Sequence, residues 1–325
     1  MSNLRHRTAT LIRQAGYTDD QPIVVGIQQR GAPPVFSAQG STLTASTPVY
    51  AASLAKQITA ACAALLVNQG RLNMRSTLAQ WLPELPGWAH EIHLRHLVHH
   101  TAGLPADDHI DTLIRTDHDR TTAGIIGALA RSVDAPSTPG GQYLYSNAGY
   151  VCLAAAVERA AGQPLPEFAR AHVFAPLRMN RSQYWPGPAP HPPGAAPLPD
   201  PRPAPLSLGD GGIWTTAHDL IRWNQALEAD ELGISTLLHT PGTLDDGTVL
   251  DYAWGLGLRT HAGRRIYRHG GGWPGLRAQL IRIPDQRSSI VILALADDTD
   301  RTIGLANALL DELNPADPIL GTRAD

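Results

Sequence analysis

Four short runs near the C-terminus, YAWGLGLR, RIYRHG, LRAQLIRIP and SSIVILAL, constrain the fold more than any other feature of the chain. They read as strands separated by turn signals, and the break at Pro284–Arg287 makes a hairpin of the last two. A further apolar run, PIVVGIQ at 22–28, lies near the opposite end and leads into a turn-rich segment. Between these ends the period changes. Leu54, Ile58, Cys62 and Leu65 recur at spacings of four and three until Gly70. Residues 76–180 continue mainly as helices and loops, one helix being 148–161, closed by Gly162. Strands at both ends with helices between predict an α/β domain split in sequence, residues 1–75 and 207–325, holding an inserted helical domain over 76–206. Within the insert, residues 186–205 are proline-dense and aperiodic, which predicts an extended connection or a rim loop outside the core. GIWTTAHDLIRWNQAL then reads as a helix with Thr216 as N-cap, and a last helix over 300–313 ends near Pro315.

A chain of 325 residues can bury a substantial core without disulfides. Cys62 and Cys152 lie in alanine-rich helical stretches and read as buried free thiols. Net charge is −3 and the arginines are scattered, so no nucleic-acid surface is expected. The N-terminus has neither an apolar core nor a small-residue cleavage site, and no run of about 18 apolar residues exists to span a membrane. A cytoplasmic location is the expectation.

Lys56 is the only lysine among 26 basic residues, and it follows Ser53 by three positions. Arginine effectively cannot lose its proton, whereas a desolvated lysine can. At the start of a helix, Ser53-Leu-Ala-Lys56 places a hydroxyl and an amine on one face, near free backbone N–H groups. A nucleophilic serine needs such a base. The same spacing also describes an N-cap serine and a surface lysine. Tyr145-Ser146-Asn147 precedes another helix, after the turn Pro139-Gly140-Gly141. There a tyrosine can relay a proton and an amide can orient a lysine, although a capping asparagine beside a packed aromatic has the same sequence. His269-Gly270-Gly271-Gly272 reads as the end of one strand and the opening of the next, with glycines that permit close backbone approach. Gly270–Gly275 fits G-x-G-x-x-G, but Pro274 and a following strand replace the helix a dinucleotide site requires.

Together and in this order, the three motifs resemble the serine β-lactamase and penicillin-binding-protein superfamily, in particular its class C β-lactamase-like branch with esterases and D-amino-acid peptidases. IHLRHLVHHTAGLP, GQYLYSNAGY, FAPLRMN and GDGGIWTTAHDLIRW carry the resemblance over nearly the whole chain. It implies a central antiparallel sheet flanked by helices, with an inserted all-helical domain. It also implies Ser53 as the acylated nucleophile, with Lys56 and Tyr145 sharing the base and proton-return work. Asn147 would contact substrate and lysine, and the backbone N–H groups of Ser53 and Gly272 would form the oxyanion hole. β-Lactamases typically carry Lys-Thr-Gly at the third motif, where His269, Gly270 and Gly271 stand here. The hydroxyl is gone and the cation is titratable, which favours an esterase or amidase over a β-lactamase or D,D-peptidase.

The expected function is therefore a serine hydrolase acting on a small ester, amide or peptide, without cofactor or metal. An acyltransferase or peptide cyclase on the same acyl-enzyme is the alternative. A non-catalytic binding relative would have lost one of Ser53, Lys56 or Tyr145, and all are present. His90, His93, His96, His99 and His100, with Asp107, Asp108 and His109, match no standard zinc spacing. No G-x-S-x-G surrounds any serine, which argues against a Ser-His-Asp hydrolase.

Overall fold

The computed structural model describes residues 2–114, 119–132, 137–188 and 190–313. Its centre is a six-stranded antiparallel sheet in the order β2-β1-β9-β8-β7-β6. The strands are β1 (Ile23–Gln28), β2 (Val35–Gln39), β6 (Gly257–His261), β7 (Arg264–Trp273), β8 (Leu276–Ile283) and β9 (Ser288–Ala294). Both ends of the chain thus build one sheet. Both faces of β1 are covered, so it is buried throughout and apolar up to Gln28. Ile23, Val25 and Ile27 pack with Ile12 of α1 (Ser2–Gln14) and with Leu305 and Leu309 of α11 (Thr299–Leu313). Val24, pointing the other way, joins the main core.

That core surrounds α2 (Ala55–Asn68), which begins directly after a single 3-10 turn, Ala52–Leu54. The helix is buried nearly all round, as expected of one without a polar stripe. Short helices follow: α3 (Leu78–Trp81), α4 (Leu94–Val98), α5 (Asp107–Leu113) and α6 (Thr122–Arg131). The second long central helix is α7 (Asn147–Ala161), N-capped by the Ser146 hydroxyl and closed by Gly162 at φ +65°. It packs on α2. Cys62 and Cys152 are buried free thiols on these two helices, and burial raises both, the latter to about 12. Beyond α8 (Leu165–Ala169), a small sheet joins β3 (Val49–Tyr50), β5 (Ile213–Thr215) and β4 (Gln183–Tyr184). Then come α9 (Ala217–Ala229) and α10 (Ser235–Leu238). No described helix is long and apolar enough to cross a membrane.

Four expectations need correction. Ile213–Thr215 is strand, because it pairs with β3 and β4; the helix starts only after its cap, Thr216. Tyr145-Ser146-Asn147 does not wholly precede the helix: the cap is Ser146, and Asn147 is the first helical residue. His269–Gly272 does not separate two strands: it lies inside β7, and the turn is at Pro274-Gly275. Residues 186–205 contain no helix or strand among those described, yet Ala195, Ala196 and Ala204 are buried in the main core. The Ala196 N–H is also tied to the Pro48 carbonyl at 2.9 Å. Part of that segment is therefore core packing. Pro315, the expected stop of the last helix, lies outside the described residues.

Candidate active site

β3 ends at Tyr50, and the chain then turns sharply into the 3-10 segment that carries Ser53. Ala52 has φ +46°, a left-handed conformation that costs a non-glycine residue about 1–2 kcal/mol. Such strain persists only where the surroundings over-determine it. Here Ala51 N–H bonds the Ile213 carbonyl at 3.0 Å, and its own carbonyl lies against β7. Ser53 is half-buried at the foot of the central helix.

Lys56, one turn on, is fully buried. Its Nζ donates to Ser53 Oγ at 3.1 Å, to Asn147 Oδ1 at 2.7 Å and to the Asp210 carbonyl at 2.9 Å. An ammonium has three donors, and these partners use all of them. A surface lysine is thereby ruled out. Two partners can only accept, whereas the serine hydroxyl can also donate. A neutral amine would keep both acceptor contacts and turn its lone pair to Ser53. The Tyr145 ring centroid lies 4.8 Å from Nζ.

Three residues without motif status hold this group in place. Asp107, first in α5, accepts from Asn147 N–H at 3.0 Å and from Asn147 Nδ2 at 2.7 Å. This fixes the amide so that its oxygen faces Lys56. Asp107 is raised above the usual carboxylate range by burial, which its bonds to Asn147 only partly oppose. His100, at φ +57°, accepts on Nδ1 from Ser146 N–H at 3.2 Å, and its ring centroid is 4.3 Å from that of Tyr145. Burial, reinforced by Lys56, pushes it well below the ordinary histidine value, so this ring positions Tyr145 as a neutral plate. Asp210 offers Lys56 its carbonyl, while its buried carboxyl is also shifted upward by desolvation. The sequence signal available for Asp107 was only its place beside the histidine-rich run, and for His100 its place in that run and in IHLRHLVHHTAGLP. Among the described residues that run forms no group able to hold a metal.

β7 forms the opposite wall. Its pairing with β6 stops at Gly257 and Arg268, so residues 269–273 pair only with β8 and leave their other edge open among the described residues. A Cβ at Gly271 would lie 2.4 Å from the Ala51 carbonyl oxygen, so only glycine permits this approach to the serine turn. At Gly272 the nearest atom to such a Cβ would be 3.9 Å away. His269 donates from Nδ1 to the Gly270 carbonyl at 2.7 Å, leaving Nε2 to accept from the Tyr252 hydroxyl at 3.1 Å. Both ring nitrogens are engaged. Burial, with Lys56 as the second cause, lowers His269 to about 4, so the titratable cation expected here is neutral at pH 7. A cleft of about 480 Å3 runs along this edge, lined by Tyr145, His269 and Gly270–Gly272 and by Arg259, Arg268 and Arg277. Ser53, Lys56, Tyr145 and Asn147 thus lie together, with Gly271 against the Ala51 carbonyl and His269 and Gly272 on the cleft wall.

An antiparallel sheet flanked by helices, with the serine turn against an inner strand, is the β-lactamase/penicillin-binding-protein fold. Solved structures with it include D-amino acid amidase from Ochrobactrum anthropi SV3, with TM-score 0.80 and 18% identity over 94% of this chain and 99% of that one. A class C beta-lactamase also superposes with TM-score 0.80 at 18% identity, over 96% and 97% of the two chains. Residues 20–313 match the beta-lactamase family, and the chain belongs to it. In sequence it is 29% identical to Penicillin-binding protein 4* of Bacillus subtilis (strain 168), over 75% of this chain and 59% of that protein. It is likewise 29% identical to D-aminopeptidase of Brucella ovis, over 56% of this chain and 37% of that protein. The chain thus spans from about a third to three-fifths of the length of these relatives.

Proposed function

We propose that this chain is a serine hydrolase that opens amides and esters through an acyl-enzyme on Ser53. The observation that carries the reading is the fully buried Lys56, with its amine 3.1 Å from the Ser53 hydroxyl. In the forward step Lys56, as a neutral amine, takes the hydroxyl proton while Ser53 Oγ attacks the carbonyl carbon. Backbone N–H groups of Ser53 and Gly272 receive the oxyanion, and Tyr145 passes a proton to the departing group. Water then reverses these roles and frees the acid. Asn147 holds the lysine and lends its amide to the substrate. Residues 76–206 supply the Tyr145 wall as an inserted helical domain, and residues 186–205 form the rim. D-aminopeptidase and D-amino acid amidase among the similar proteins favour amides of amino acids over β-lactams. The third motif agrees, because Gly270 has no hydroxyl and His269 is neutral. Loss of one hydrogen bond to a substrate carboxylate costs about 1.5–3 kcal/mol, roughly ten- to a hundredfold. A panel of nitrophenyl esters, amino-acid amides and a chromogenic cephalosporin is expected to show turnover of the first two at least about tenfold above the third. A cephalosporin as best substrate, or no turnover of any, would overturn this reading.

A further inference from the structure

Pairing of β6 with β7 ends at Gly257 and Arg268, and the Arg268 carbonyl faces β6, 3.1 Å from where a Cβ on Gly257 would sit. Backbone groups of a strand repeat their direction every second residue, so Gly270 and Gly272 also turn their N–H and C=O away from β8. On that side β7 has no strand partner among the described residues. The proposed oxyanion donor, Gly272 N–H, therefore shares an open edge with the Gly270 carbonyl, within about 7 Å, the span of two strand residues. Left bare, that carbonyl would turn its negative end toward charge developing on the substrate oxygen. His269 Nδ1, 2.7 Å away, occupies it instead. A carbonyl can only accept, so the proton of the neutral His269 ring is on Nδ1 and Nε2 is bare. The group facing Nε2 is the Tyr252 hydroxyl at 3.1 Å. Both residues are buried, at 5% exposure for Tyr252 and 8% for His269. The other hydroxyl beside Tyr252, that of Tyr150, gives its proton to the Val98 carbonyl at 2.8 Å.

We propose that Tyr252 is a positioning residue for the reaction: by donating to His269 Nε2 it keeps the His269 proton on Nδ1, where that proton covers the Gly270 carbonyl beside the oxyanion donor. This rests on the hydrolase reading and gives the third motif a task other than charge. His269 neither holds a substrate anion nor moves a proton; it neutralises a backbone dipole of the wrong sign, an arrangement fixed before substrate arrives. The Tyr252 hydroxyl makes the arrangement one-way, because the alternative ring, with its proton on Nε2, would set a lone pair against the Gly270 oxygen. Tyr252 is itself held: its carbonyl accepts from Gly242 N–H at 2.9 Å, and its ring centroid is 4.7 Å from that of His100, the plate behind Tyr145. Losing the hydroxyl alone leaves that packing in place and strands a buried, bare Nε2, which the ring relieves by turning or by shifting its proton.

The test uses the whole protein. In 15N-labelled wild type, the His269 ring signals, assigned by their loss in His269→Gln, should show a protonated Nδ1 and a bare Nε2 at pH 7. In Tyr252→Phe, kcat on the best ester should fall about tenfold, with KM within about twofold of wild type, as for an interaction made only in the transition state. Affinity for phenylboronic acid, which a nucleophilic serine binds as a tetrahedral anion, should fall by the same factor. Tyr17→Phe is the control: its hydroxyl is equally buried, bonds Thr302 Oγ1 at 2.8 Å, and belongs to the core on the α11 face of the sheet. It should lower the melting temperature and leave kcat and boronate affinity as in wild type. A His269 proton on Nε2 in wild type, a folded Tyr252→Phe protein with wild-type kcat and boronate affinity, or losses no larger than those of Tyr17→Phe would overturn the assignment. Wild-type protein that neither hydrolyses esters nor binds the boronate would instead refute the hydrolase reading.

Discussion

Lys56→Arg is expected to lower kcat by about 10²–10⁴ on the best ester, the range for losing a positioned general base. The charge is retained, and the chain uses arginine at its 25 other basic positions, 26 less this one lysine. Arginine cannot hand over a proton, and its planar fork does not match three acceptors arranged around one nitrogen. The site is also closed: Lys56 has no exposed surface, so the larger head must displace Asn147, Ser53 or the Asp210 backbone. Such overpacking costs about 1–3 kcal/mol, so the melting temperature should fall modestly while the protein stays folded. Turnover and a thermal melt are measured together. A folded arginine variant with more than about a tenth of wild-type turnover would contradict a lysine that works by losing its proton.

Gly271→Ala should be damaging for a different reason. The new Cβ would meet the Ala51 carbonyl at 2.4 Å and Ala278 Cβ at 3.3 Å, and neither contact involves a flexible side-chain end. Either β7 or the Ser53 turn must move. A shift of about 1 Å between reacting groups costs about 10²-fold, and the strain adds about 1–3 kcal/mol of instability. Gly272→Ala is the control. Its Cβ would find its nearest neighbour at 3.9 Å, and its melting temperature should stay near wild type. Equal melting temperatures and equal kcat/KM for the Gly271 variant and wild type would refute the close approach on which the proposed oxyanion site depends.

The site was legible where its chemistry is local in sequence. Ser53 and Lys56 are one helical turn apart, so spacing alone brings them together, while Tyr145 and Asn147 lie on either side of the cap Ser146. What supports them was not legible. Asp107 reaches Asn147 across 40 positions, His100 reaches Ser146 across 46, and the Asp210 carbonyl reaches Lys56 across 154. No periodicity records such contacts. The glycines after His269 misled in a particular way. In sequence they punctuate, but in the fold they sit inside a strand because another backbone presses on one of them. The neutral state of His269 also depends on tertiary burial and on Tyr252, seventeen positions earlier in the chain. In the fold, β8 and β9 were read correctly, whereas only the last three residues of YAWGLGLR are strand and β7 runs on past RIYRHG to Trp273. Ile213–Thr215 was absorbed into the helix after it, being three residues long with its partners at 49–50 and 183–184. α1 was unforeseen, since its buried contacts are with the last helix and a distant sheet face.

Covalent labelling tests the central claim most directly. Wild-type protein is treated with a fluorophosphonate, digested, and the adduct is mapped by mass spectrometry. The account predicts a single adduct on Ser53, formed at a rate that falls at least about a hundredfold in Lys56→Arg. An adduct on another serine in active protein, or none at all while esters are still hydrolysed, would contradict it.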